Sequence, residues 1–164
     1  VACVYLSLGS NIFREKNIAN CLRALRKTFG EIKISNVYES ESVGFDGDNF
    51  YNLAVELQTE KSVAELSSYF RELENVSGRD RDMPKFSSRT LDIDILTYND
   101  YCGVLDGVSL PRGEILKNAF VLLPLSEIAP DVLHPIKKVS YATLWSEFDR
   151  EKQKLWVVPF DEYC

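Results

Sequence analysis

The apolar and polar positions divide the chain into a series of strand-like and helix-like segments. Ala2 to Leu8 is a compact apolar run that stops at Gly9-Ser10-Asn11, the pattern of a buried strand ending in a turn. Ile18, Leu22, Leu25 and Phe29 recur at helical spacing, with Gly30 where a left-handed C-terminal cap belongs. Ile32 to Tyr38 alternates imperfectly and predicts a second strand. Glu39 to Asn49 has no period and contains two glycines, so it reads as a long loop, and Phe50 to Leu57 resumes alternation as a third strand. Ser62 and Glu65 have capping-box spacing, and Val63, Leu66, Phe70 and Leu73 give the helix that follows its buried face.

A second long polar stretch, Ser77 to Ser88, leads into Leu91-Asp92-Ile93-Asp94-Ile95-Leu96, which alternates as a strand. The order to this point is βαββαβ. It predicts an α+β fold with a ferredoxin-like antiparallel sheet, its helices on one face, plus a C-terminal extension. In that extension Phe120 to Leu125 is a further apolar segment, and Ser140 to Phe148 is a short helix.

Composition narrows the class. A length of 164 residues, 45% of them hydrophobic, suits a single domain spanning 1–164. A formal net charge of −6 disfavours a nucleic-acid binder, whose affinity comes from Lys and Arg neutralising phosphates. No apolar run approaches the roughly 20 residues of a membrane helix. The chain opens on Val1-Ala2-Cys3 without the pattern of a secretory leader, which points to the cytoplasm. Cys3, Cys21, Cys102 and Cys164 are scattered, and His134 is the one histidine, so a structural zinc site is not expected and the cysteines read as reduced thiols. His134 precedes Pro135 in what reads as a surface turn and is assigned no role.

Three groups of residues carry chemistry. Asp92 and Asp94, two apart on a strand, project from one face and can share a hard cation, although an exposed strand face is the plainer reading of that pair alone. Just upstream, Arg79, Arg81, Lys85 and Arg89 concentrate positive charge in a loop of an acidic protein; guanidinium groups suit phosphate oxygens, and a solvated basic loop is the alternative. Phe50, Phe86 and Phe120 offer flat rings, with Asn52 beside Phe50 on the same strand face, able to sandwich and hydrogen-bond a heterocycle; each ring taken singly suits a core equally well. There is no Walker sequence, no kinase glycine loop and no Ser-His or Cys-His pairing.

Together these residues resemble the 6-hydroxymethyl-7,8-dihydropterin pyrophosphokinase family. The resemblance rests on Lys85-Phe86-Ser87-Ser88-Arg89-Thr90-Leu91-Asp92-Ile93-Asp94-Ile95-Leu96, supported by Tyr5 to Asn11, Phe50-Tyr51-Asn52 and Ala119 to Leu125. It implies transfer of diphosphate from Mg-ATP to the hydroxymethyl group of the pterin, releasing AMP, in folate biosynthesis. The pterin would lie between Phe50 and Phe120, bonded by Asn52 and enclosed by Ser40 and Val43. Asp92 and Asp94 would ligate two Mg2+ ions, with Arg79 and Arg89 catalytic. Glu74, Arg81, Lys85, Phe86 and Arg112 would serve ATP. The partners implied are the two small-molecule substrates, with no nucleic acid and no membrane, and the chain is expected to be a monomer.

The chain departs from the family pattern at three places. Arg112-Gly113 follows Pro111 where the family has His, Asn118 stands where an Arg precedes the late strand, and Arg71 stands where a Gln is common. These changes keep open a relative that binds pterin or nucleotide but has weakened or redirected transferase activity. A non-enzymatic RNA-binding sheet of the same topology is the other alternative.

Overall fold

The computed structural model describes residues 1–41, 49–77 and 91–161. The elements in chain order are β1 (Ala2–Ser10), α1 (Arg14–Phe29), β2 (Lys33–Ile34), β3 (Val37–Ser40), β4 (Phe50–Thr59), α2 (Val63–Val76) and β5 (Asp92–Tyr98). A hairpin of β6 (Gly103–Leu105) and β7 (Val108–Leu110) follows, then a 3-10 turn (Gly113–Leu116), α3 (Ala119–Ile128), α4 (Tyr141–Glu147) and β8 (Leu155–Val158).

The main sheet runs β5-β1-β4-β3-β8, and β2 also pairs with β4. All these pairings are antiparallel. The ferredoxin-like α+β expectation holds for the first six elements of the pattern, with one refinement. The predicted second strand is two short strands, β2 and β3, because Ser35 interrupts it: its backbone amide donates to the carbonyl of Ala54 at 3.0 Å, and its Oγ accepts from the amide of Ala54 at 2.9 Å. A side chain that captures a ladder donor bends the strand that carries it.

Alternation along β1 and β4 separates two cores. Val4, Leu6 and Leu8 with Leu53, Val55 and Leu57 face α1 and α2, meeting Ile18, Leu22, Leu25, Val63, Leu66 and Phe70. Tyr5 and Ala54 face the other way, onto Val121, Leu122 and Leu125 of α3 and Tyr141 of α4. The C-terminal extension therefore covers the second face of the sheet, and β8 lengthens its edge.

Ser62 and Glu65 close a reciprocal capping box on α2 as expected, and Gly30 ends α1 at a φ of 80° as a glycine can, but its ψ of −135° lies outside the left-handed helical region that was expected. Two sequence readings are corrected. The apolar segment at Phe120, taken as a late strand in the family comparison, is helix α3; an unbroken apolar run has no period to distinguish helix from strand, and burial between sheet and α4 decides it. Pro124 lies inside this helix and contributes no amide donor to the turn that starts at Phe120. His134 is in a turn but its ring is buried, at 2% exposure, where Nδ1 accepts from the amides of Ile136 (3.2 Å) and Lys137 (3.1 Å).

Candidate active site

The site is the end of the sheet where β1 finishes and β4 and β5 begin. Strand register lays a row of residues across it: Tyr38 pairs with Asn52, Asn52 with Gly9, and Gly9 with Asp92. Partners in a row point to the same face. At about 4.8 Å per strand, Asn52 and Asp92 are about 10 Å apart across two strand spacings. The next row places Ser7 between Ala54 and Asp94. Asn52, Asp92 and Asp94 thus share the face that α3 covers, and both carboxylates stand together as the sequence predicted.

Gly9 leaves this floor open between amide and carboxylates. A Cβ there would meet Asn52 Oδ1 at 2.9 Å. Asn52 is buried at 5% exposure and donates from Nδ2 to Ser40 Oγ at 3.0 Å, which fixes its amide plane. Phe50 begins β4 and Phe120 is the second residue of α3, both partly exposed at this face. Of the residues expected to hold a heterocycle, Ser40, Phe50, Asn52 and Phe120 are therefore brought to this face, while Val43 and Phe86 lie outside the described residues.

Sequence reasoning missed the groups that position α3. Tyr38 Oη donates to Glu127 Oε1 at 2.6 Å and the Asn36 amide to Glu127 Oε2 at 2.8 Å, pinning the helix to β3. Asn118 makes no side-chain cap; instead Gln153 Oε1 accepts from the Ala119 amide at 2.7 Å. No local sequence signal marks Glu127 or Gln153, because each acts on a segment distant along the chain.

Beside the carboxylates, α2, β5 and β7 enclose a cleft of about 240 Å³ lined by Phe70, Arg71, Glu74, Asp94, Val108 and Arg112. Glu74 is on the buried face of α2 beside Leu73, which packs partly buried against the core as its spacing predicted. Its Oε2 accepts from the Ile93 amide at 2.9 Å, so it also holds the strand segment between the two aspartates. Arg112 Nε lies 2.5 Å from Glu114 Oε2, and its Nη2 is 3.6 Å from Asp94 Oδ1. Partial burial lifts the Asp94 carboxyl to about 6; Arg112 opposes the shift, while Asp92, Glu74 and Glu114 add to it. Arg79, Arg81, Lys85, Phe86 and Arg89 lie outside the described residues.

The donor chemistry suits a hard divalent cation. Two carboxylates on one face match the way Mg2+ is held, by one or two carboxylates with substrate phosphates and water completing the shell. Among the described residues no group of three or more His, Cys, Asp or Glu is arranged to hold a metal without such help.

A ferredoxin-like α+β domain with an anchored amide and paired aspartates on one face at the end of its sheet is the class defined by this geometry. The chain belongs to the 7,8-dihydro-6-hydroxymethylpterin-pyrophosphokinase family, whose model matches residues 5–130. It is 39% identical over 140 residues to the 2-amino-4-hydroxy-6-hydroxymethyldihydropteridine pyrophosphokinase of Aquifex aeolicus, covering 83% of this chain and 86% of that protein. The Bacillus subtilis protein of the same name is 31% identical over 156 residues, 93% of this chain and 89% of its own length. The folic acid synthesis protein FOL1 of Dictyostelium discoideum matches at 35% over 134 residues, 80% of this chain but a fifth of that protein, 20%. A crystal structure of a Plasmodium falciparum HPPK-DHPS triple mutant shares the fold, with a TM-score of 0.69 at 15% identity over 89% of this chain and 41% of that one. Members of the family are ATP-dependent diphosphotransferases that act on the hydroxymethyl dihydropterin in folate biosynthesis, and this chain is an enzyme of that kind. Among the described residues no helix is long and apolar enough to cross a membrane.

Proposed function

We propose that the row from Asn52 through Gly9 to Asp92 is the catalytic floor, with the pterin anchored at one end and the ATP phosphates at the other. The observation that carries this reading is the register: the buried amide and the paired carboxylates share a face about two strand spacings apart, with no side chain between them. That span accommodates a bicyclic ring and its hydroxymethyl arm.

Asn52, held by Ser40, hydrogen-bonds the pterin ring, while Phe50 and Phe120 lie against its two faces and Val43 completes the pocket. Asp92 and Asp94 hold two magnesium ions, which supply neutralising charge on the phosphate oxygens. Arg71, Glu74 and Arg112 line the nucleotide cleft, and Arg81, Lys85 and Phe86 enclose the nucleotide from the preceding segment. The hydroxymethyl oxygen attacks the β-phosphorus, one O–P bond forms, and the bond to the leaving AMP oxygen breaks. Asp94 receives the hydroxyl proton. Arg79 and Arg89 offset the charge that moves onto the leaving phosphate, and alignment rather than covalent help lowers the barrier.

Residues 1–164 act as one pyrophosphokinase domain, since β1 and β8 from the two ends of the chain belong to one sheet. We assign the enzyme to the cytoplasm as a monomer that does not use nucleic acid, supported by the free thiols of Cys3, Cys21 and Cys102 and the net charge of −6. The deciding experiment measures AMP formed from Mg-ATP with and without 6-hydroxymethyl-7,8-dihydropterin. Pterin-dependent AMP that disappears in Asp92→Asn and in Asp94→Asn supports the floor; full activity in either variant overturns the carboxylate assignment.

A further inference from the structure

Arg112 stands between two acids, and the two contacts differ. Its Nε lies 2.5 Å from Glu114 Oε2 as a close ion pair, to a buried oxygen that accepts no hydrogen bond from the described residues, whereas its Nη2 is 3.6 Å from Asp94 Oδ1, too long for a formed hydrogen bond. The arginine is thus tethered at one edge and lightly held at the other. Its backbone is fixed as well, the Arg112 amide donating to the carbonyl of Leu96 at 2.8 Å. Glu114 lies in the 3-10 turn whose Ile115 is wholly buried, so the tether has a rigid base. Arg112 lines the same cleft as Asp94 and Arg71.

From this geometry we infer that Glu114 is a positioning residue for the nucleotide: its ion pair with Arg112 at Nε holds the side chain so that the Nη edge is free for the phosphates, and Arg112 neutralises Asp94 until they arrive. The inference rests on the nucleotide site proposed above. A guanidinium can do this because its donors lie in one plane; one edge can be clamped while the other recognises an oxyanion. A lysine offers a single point of charge and cannot be clamped and aimed at once. On arrival of the nucleotide with its cation, Nη2 leaves Asp94 for a phosphate oxygen while the Nε contact to Glu114 stays, so no bond in the tether has to break.

The inference opposes the simplest electrostatic expectation, which makes it testable. Removing the Glu114 charge beside a polyanion site should tighten ATP binding if charge alone mattered. The tether requires the reverse. The experiment is calorimetric binding of a nonhydrolysable ATP analogue with Mg2+ to the wild type, Glu114→Gln, Arg112→Ala, Arg112→Lys and the double variant Glu114→Gln/Arg112→Ala. The expected result is analogue binding weakened about five- to tenfold in Glu114→Gln and at least as much in Arg112→Ala and Arg112→Lys. The double variant should be no weaker than Arg112→Ala, because Glu114 acts only through the arginine. Unchanged or tighter binding in Glu114→Gln, or additive losses in the double variant, overturns the inference. A wild type that fails to bind the analogue at all would instead overturn the nucleotide site itself.

Discussion

Gly9→Ala tests the floor most directly, because it adds one methyl group between the two halves of the site. Gly9 lies in extended β1, so alanine meets no backbone penalty there. The new Cβ would lie 2.9 Å from Asn52 Oδ1, against 3.4 Å or more for ordinary contact, so the amide oxygen must retreat by about 0.5 Å (3.4 − 2.9). Asn52 has little room to give, being buried and bonded to Ser40 Oγ at 3.0 Å on its other side. The displaced amide loses alignment with the pterin, and one neutral hydrogen bond is worth about 0.5–1.5 kcal/mol, or about two- to tenfold in affinity. Pterin affinity measured by fluorescence in the presence of a nonhydrolysable ATP analogue should fall by that factor. Affinity for the analogue and the urea midpoint should stay near wild type. A Gly9→Ala protein that binds pterin with undiminished affinity would refute the role given to Asn52, and an equal loss for both ligands would show a general distortion instead.

Three further outcomes are expected. Because the Asp94 carboxyl is raised to about 6, chiefly by partial burial, protons compete with a divalent cation below that pH; calorimetric Mg2+ affinity in the presence of the ATP analogue should be steady above pH 7 and fall about tenfold for each unit below 6, an effect absent from Asp94→Asn. His134 is held neutral by burial, with its Nδ1 accepting two amides, so the unfolded chain binds a proton that the folded one excludes; the stabilising contribution is complete above the ordinary value of 6.5 and declines as pH falls below it, and His134→Asn should flatten that part of the urea-midpoint profile relative to wild type. Ser62→Ala removes the acceptor for the Glu65 amide at 3.2 Å and should cost about 1 kcal/mol in urea unfolding with turnover unchanged, whereas a change in kcat would mean that α2 positions the site more delicately than its cap suggests.

The active-site groups divide by what defines them. Asp92 and Asp94 could be read as neighbours from the chain because alternation on a strand is a local property. Asn52 was selected by the same reasoning beside Phe50. Their mutual placement was not available: only the register of β1 with β4 and β5 sets Asn52, Gly9 and Asp92 in one row and makes a glycine at the end of a strand the clear span between substrates. Glu74 shows the limit from another side. Helical periodicity placed Leu73 against the core but gave no reason to bury the neighbouring carboxylate, which is buried with an amide of β5 opposite to receive it.

The sequence by itself determined the βαββαβ order, the capping box of α2, the paired carboxylates and the family, since each depends on periodicity or on a contiguous motif. Tertiary structure alone decided that Phe120 belongs to a helix, that Ser35 divides a strand, that His134 is buried, and that Glu127, Gln153 and Glu114 fix the elements and side chains around the site. The reason is the range of the interactions. Local backbone preference and alternation are written in neighbouring residues, whereas the partner of a buried carboxylate, the cap of a distant helix and the tether of an arginine exist only once the sheet has brought remote segments together.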